Sequence, residues 1–230
     1  MMGAPRGVSA APESAGETTA AHEPALRSLL YRSFATAFEY PDRDTLGIIR
    51  EGALADALRQ MLGALDLDLV KEIDWGALCD AGPDDDALQV EFTRLFEAGE
   101  AGPNCPLREG HYAGGSDLQT LEELVRFYNF FGLSLPDERR EQPDHLTTEL
   151  EFLHFLSFQE AQAGVNEESL RGLQRAQRDF LARHPLAWLP PMRQALAAAH
   201  PMRFFIELTR LLERFLESEH RRLAVLAGEA

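Results

Sequence analysis

The sequence predicts an all-α protein, a single compact helical bundle of roughly ten helices. Three observations predict it. Apolar residues recur at the 3.6-residue period from Leu26 to Leu226, the spacing of helices that hide one face. No alternating strand pattern flanked by hairpin turns, and no repeat of fixed period, interrupts them. A chain of 230 residues with 45% hydrophobic content can bury one sizeable core, so one domain suffices.

Residues 1–22 are small, polar and proline-containing and lack the apolar core of a secretory signal. They are expected to form a disordered tail ahead of a helical domain over residues 23–230. Pro24 is expected to open the first helix, in which Leu26, Leu29, Leu30, Phe34, Ala37 and Phe38 form the apolar set. Tyr40-Pro41-Asp42 ends it, because a residue before proline is pushed out of the helical region. Asp44 is placed to cap a second helix reaching Leu62, with Gly52 and Gly63 as ends or bends. Residues 65–78 read as a further helical stretch. Ala81-Gly82-Pro83 is a stop, and Asp84, Asp85 and Asp86 are an acidic start for a helix whose last turn holds Leu95 and Phe96.

Ser116-x-x-Gln119 has the form of a capping box and opens a helix that runs to Gly132. Residues 133–142, with Pro136 and a charged run, are a surface connection. The helix starting at Pro143-Asp144 is apolar on nearly every side, through Leu146, Leu150, Phe152, Leu153, Phe155, Leu156 and Phe158, which makes it central. Asn166 starts a helix to about His184. Pro185, Trp188, Pro190 and Pro191 read as a short turn, followed by helices over 192–199 and 202–226.

Composition removes several classes of function. There are 38 acidic against 22 basic residues, a formal net charge of −16, which argues against recognition of a phosphate backbone. Such acidity disperses a soluble protein or attracts a cationic partner. The two cysteines, Cys79 and Cys105, form no Cys-x-x-Cys pair and no zinc-spaced cluster, which fits a reducing compartment. No apolar run is long enough for a membrane span. A cytoplasmic location is therefore expected. No phosphate-binding glycine loop and no Ser-His-Asp or Cys-His arrangement is present, so no catalytic residue, cofactor or metal is assigned.

The chain is organised around residues 91–112, EFTRLFEAGEAGPNCPLREGHY. A helix end passes there into a loop whose Pro103 and Pro106 restrict its shape. This stretch resembles the segment of the TorD/DmsD/NarJ family of molybdoenzyme assembly chaperones in which Leu-Phe and a glycine precede a proline-rich run ending in Glu and an aromatic. Residues 143–156, PDHLTTELEFLHFL, are similar to that family's Asp-His helix start followed by Glu-Leu-x-Phe-Leu. Residues 180–190, FLARHPLAWLP, are similar to a third block. Together the blocks cover most of residues 88–190 in the family's order.

The resemblance implies a cytoplasmic chaperone, not an enzyme. Its partner would be the apo catalytic subunit of a molybdenum-cofactor oxidoreductase, held through its twin-arginine leader until cofactor is inserted, with the chaperone a monomer or dimer. It also implies a partner-binding set of Leu95, Phe96, Pro106, Glu109, Tyr112, Asp144, His145 and Glu149. The chain departs from the family pattern at Leu107 and Arg108, where many members carry a second proline and an aromatic. Arg108 thus adds positive charge beside a site proposed for a cationic peptide.

Each candidate also has a structural alternative. Asp144 could be the N-cap of the central helix, with His145 satisfying a nearby carbonyl. Glu109 could pair with Arg108, Tyr112 could anchor the loop, and Leu95 and Phe96 could face the core. A metal-dependent enzyme would use His145 and Glu149, one turn apart, but His154 is about half a turn out of phase with His145. A structural adaptor would use the last helix, where Glu207, Arg210, Glu213, Arg214 and Glu217 form a charged face.

Overall fold

Apolar residues on all sides of one helix need neighbours on all sides, and α8 (Leu146–Gln162) has them. The computed structural model describes residues 15–84, 86–99, 102–112, 114, 117–134, 142–164 and 166–228. Along these run α1 (Ala15–Ala37), α2 (Arg43–Arg50), α3 (Ala53–Gly63), α4 (Leu67–Glu72), α5 (Ala87–Phe92), α6 (Glu109–Tyr112) and α7 (Asp117–Phe130). After α8 come α9 (Glu167–Arg183), α10 (Pro185–Ala198) and α11 (Arg203–Leu226). No strand occurs among the described residues, and the expected all-α fold is what forms. Helix α1 packs along α8, α9 lies between α8 and α11, and α10 lies against α9 and α11.

Aromatic residues tie these helices together. Phe152 of α8 meets Phe180 of α9 at 4.7 Å and Tyr128 of α7 at 5.0 Å. Tyr31 and Phe34 of α1 reach Phe215 of α11 at 5.2 and 5.7 Å. Polar groups join in where they are paired. The buried guanidinium of Arg27 donates from Nε to Glu219 Oε1 at 2.9 Å, and Arg222 holds the other oxygen of that carboxylate at 2.8 Å.

Several boundaries differ from the sequence reading, each for a local reason. Residues 1–14 lie outside the described residues, and α1 already begins at Ala15, so Pro24 sits inside it rather than opening it. The helical stretch expected from Asp44 to Leu62, with Gly52 as an end or bend, is two helices. Gly52, with φ +78°, adopts the left-handed conformation between α2 and α3. The cap of α2 is Asp42, which accepts from Thr45 N at 2.8 Å, not Asp44. The stretch over 65–78 breaks at Ile73, which is extended, and resumes as a 3₁₀ turn at Ala77–Cys79.

The turn expected around Pro185 and Trp188 is the start of α10, with Pro185 in its first turn and Pro190 and Pro191 inside it. Two missing N–H groups weaken such a helix. Burial of Trp188, Leu189, Met192 and Leu196 offsets the loss. The charged face expected on α11 is divided: Arg210, Arg214 and Glu217 reach solvent, but its other two members do not. Glu207 and Glu213 are buried, the first accepting from Asp74 N at 2.8 Å and the second held by Arg193 at 2.6 Å. The capping-box Ser116 and the connection over 135–141, with Arg139 and Arg140, lie outside the described residues.

Candidate functional site: a buried carboxyl cluster under Arg108

Helix α5 ends in a π turn, Thr93–Glu97, after which Ala98 is extended. The widened turn places Leu95 and Phe96 inward. Leu95 is fully buried, and Phe96 meets Phe92 at 5.0 Å and Phe205 at 5.2 Å. Neither offers surface to a peptide in this conformation. Leu95 contributes through its backbone, because its carbonyl accepts from Cys105 N at 2.8 Å and turns the chain back. Cys105 and Pro106 are buried, and burial pushes the Cys105 thiol up to about 11. A thiol so held is not a nucleophile at neutral pH.

The loop then runs beside the entry of α8. Glu109 N donates to the Asp144 carbonyl and Leu146 N to the Leu107 carbonyl, each at 2.9 Å, and Arg108 and His145 form an isolated antiparallel bridge. This places Asp144 in a role the sequence reading missed. Asp144 is not the N-cap of α8; it faces back across the bridge. Its Oδ1 accepts from Arg108 Nε at 3.3 Å and Nη2 at 3.2 Å, and its Oδ2 accepts from Gly110 N at 3.2 Å. The N-cap is His145, whose Nδ1 accepts from Thr147 N at 3.3 Å and lies 2.7 Å from Thr147 Oγ1.

With Arg108 committed to Asp144, the expected Glu109–Arg108 pair does not form. Glu109 turns inward, buried, with His184 Nδ1 at 3.0 Å from Oε2. Glu149, one turn into α8, is fully buried and accepts from Trp188 Nε1 at 3.1 and 3.2 Å. The Glu109 carboxylate lies close enough for its charge to act on Glu149. Burial, with the Glu109 charge adding to it, holds the Glu149 carboxyl well above the usual carboxylate range. Tyr112 closes the cluster, stacked on Trp188 at 5.7 Å with its ring tilted by 11°. Tyr128 of α7 donates to the Pro143 carbonyl at 2.7 Å.

Four of the eight candidate residues, Glu109, Tyr112, Asp144 and Glu149, thus meet at one place, with His145 at its edge. The outward surface consists of the Arg108 guanidinium, 43% exposed, with exposed His111 and half-buried His145. The arrangement suits recognition. A cationic group approaching Asp144 meets Arg108 already in place.

The match to the family described as nitrate reductase delta subunit spans residues 50–194. This chain belongs to that family. The nitrate reductase delta subunit match contains the whole loop, α8 and the His184–Trp188 segment, and it leaves α1 and α11 outside. The "Chlorate reductase assembly chaperone protein" of Ideonella dechloratans is 41% identical over 144 residues, 62% of this chain and 74% of its own length. The "Perchlorate reductase assembly chaperone protein" of Dechloromonas aromatica is 33% identical over 204 residues, 84% and 87% of the two chains. The "Selenate reductase assembly chaperone protein" of Thauera selenatis is 42% identical over 132 residues, 54% and 67% of the two chains.

Within this delta-subunit fold, the metal-enzyme alternative loses its geometry. His145 bonds Thr147, Glu149 faces Trp188, and His154 Nδ1 lies 2.7 Å from Ser28 Oγ on the α1 side. Among the described residues, no group of three or more His, Cys, Asp or Glu side chains is arranged to hold a metal. Sequence reasoning missed His184 and the polar role of Trp188. The available signal was the His-Pro-x-x-Trp run inside the third block, where two residues with ring N–H groups open a helix that must be buried.

Proposed function

We propose that this chain is a cytoplasmic assembly chaperone for the apo catalytic subunit of a molybdenum-cofactor oxidoreductase, and that it receives the subunit's twin-arginine leader at the Arg108–Asp144 pair. The first part rests on relatives named as assembly chaperones for chlorate, perchlorate and selenate reductases, one of them aligned over 84% of this chain. The second part rests on one observation. A buried carboxylate is held by a half-exposed guanidinium at 3.2–3.4 Å, longer than the 2.7–2.9 Å of a strong charge-assisted bond. A leader guanidinium could replace Arg108 and leave the carboxylate better paired. Leader binding would then weaken with salt but persist, since apolar burial survives screening.

The test is co-purification of tagged protein from its native host under anaerobic growth, followed by mass spectrometry. Recovery of a molybdoenzyme catalytic subunit is expected, and its absence defeats the chaperone reading. Titration of a twin-arginine leader peptide then addresses the site. Arg108→Ala should bind it several-fold more tightly, and Asp144→Asn at least about tenfold more weakly, the loss of one charge-assisted contact. Unchanged affinity in both variants, with the catalytic subunit still recovered, would move the leader elsewhere on the protein.

A further inference from the structure

A second surface lies on the other side of α7 from the carboxyl cluster. Between α7, α8 and α9 an open groove of about 840 Å³ is walled by Phe127, Phe130, Phe131 and Phe155, with Leu173 and Ala176 of α9 opposite. Phe130 is 83% exposed, unusual for a ring of its size. Phe127 separates the groove from the cluster, for its ring edge meets His184 at 5.4 Å. The rim is basic in a chain whose net charge is −16. Arg126 and Arg175 line it, both exposed. Arg126 donates from Nε to the Glu122 carbonyl of its own helix, and Asp179, the acidic group at the rim, is occupied by Arg178 at 2.8 Å.

We propose that this groove docks an amphipathic helix bearing carboxylates beside its apolar stripe. An aromatic trough of this size takes an apolar helix face at i, i+3, i+4 and i+7 spacing. Two exposed guanidinium groups along its edge select acidic flanks and repel arginine-bearing ones. The groove is thus matched to a segment of the opposite charge from a twin-arginine leader. That the helix belongs to the body of the client rests on the chaperone reading; the charge preference does not.

Two designed amphipathic peptides of about five turns, with one leucine stripe and either Glu or Lys beside it, are titrated against the full chain by calorimetry. The Glu peptide should bind with Kd on the order of 10 µM and the Lys peptide at least about tenfold more weakly. The double variant Arg126→Glu/Arg175→Glu should invert that order, and Phe130→Ser should weaken both. Arg126 and Arg175 are exposed on the surface, so the double variant should keep its thermal midpoint. Equal affinity for the two peptides, or a preference that charge reversal leaves unchanged, overturns the proposal. So does tighter binding of a twin-arginine leader peptide to the reversed variant, which would assign the groove to the leader, or a dimer dissolved by Phe130→Ser, which would assign it to a second copy. Each of these results leaves recovery of the catalytic subunit intact and so separates this failure from that of the chaperone reading.

Discussion

Glu149 shows how a residue's meaning depends on what folds against it. Its carboxyl is fully buried, faces Glu109 and Asp144, and receives one neutral donor from Trp188. The folded protein therefore binds a proton that the unfolded chain releases above the usual carboxylate range of about 4.3. More protons on the folded side means that stability falls as pH rises through the window between the unfolded value and the raised folded one. Glu149→Gln keeps an acceptor for Trp188, with nothing to ionise. Relative to that variant, the wild type should lose up to about 1.4 kcal/mol per pH unit above about pH 5. Urea midpoints of the two proteins measured across that range check it, and parallel pH profiles would count against a raised Glu149 carboxyl. Glu149→Ala, which leaves the indole N–H unpaired beside a void, should cost about 3 kcal/mol.

At the scale of elements, the loop is held to α8 by a short bridge and to the start of α10 by the Glu109–His184 contact and the Tyr112–Trp188 stack. Trp188→Phe retains the ring that stacks on Tyr112 but removes the donor to Glu149. The expected cost is about 1–2 kcal/mol, the desolvation of an acceptor left unpaired. Hydrogen exchange should then accelerate over residues 105–112 while α8 stays protected. Uniform acceleration across both would mean that the loop does not open as a unit. The same elements show which parts of the fold could be read in advance. The long amphipathic stretches of α7, α8, α9 and α11 were legible because their periodicity extends over three turns or more. The break at Gly52 was legible too, as glycine punctuation; the π turn at Thr93–Glu97 and the helix through Pro190 and Pro191 were not, because packing against other elements settles them.

Across the whole molecule, α1 and α11 clamp the bundle through polar groups as well as rings. Arg27 and Glu219 are 192 positions apart and both buried, with Arg222 on the second carboxylate oxygen. Glu219→Ala leaves buried Arg27 only the exposed Glu23 and leaves Arg222 only Glu160, 3.9 Å away, and should destabilise the fold by about 3 kcal/mol. Chemical denaturation measures this directly. A loss below about 1 kcal/mol, the range of surface pairs, would mean that water reaches the pair. The clamp's bonds run to Glu23 and Glu160 and not to the Arg108–Asp144 pair, so the substitution should leave any binding at that pair intact at low temperature.

The sequence by itself determined the all-helical class, the centrality of α8 and the place of the organising loop, since local periodicity and proline or glycine punctuation carry that information along the chain. It also brought Glu109, Asp144, His145 and Glu149 forward as candidates through the resemblance of three blocks. Only the tertiary structure decided what each one does. Arg108 takes Asp144 rather than Glu109, His145 caps the helix in place of Asp144, Glu109 meets His184, and Glu149 is buried against Trp188. The physical reason is that an ionisable group's state is set by its burial and by the charges and donors around it, and here those come from α6, α8 and α10, which meet only in the folded chain.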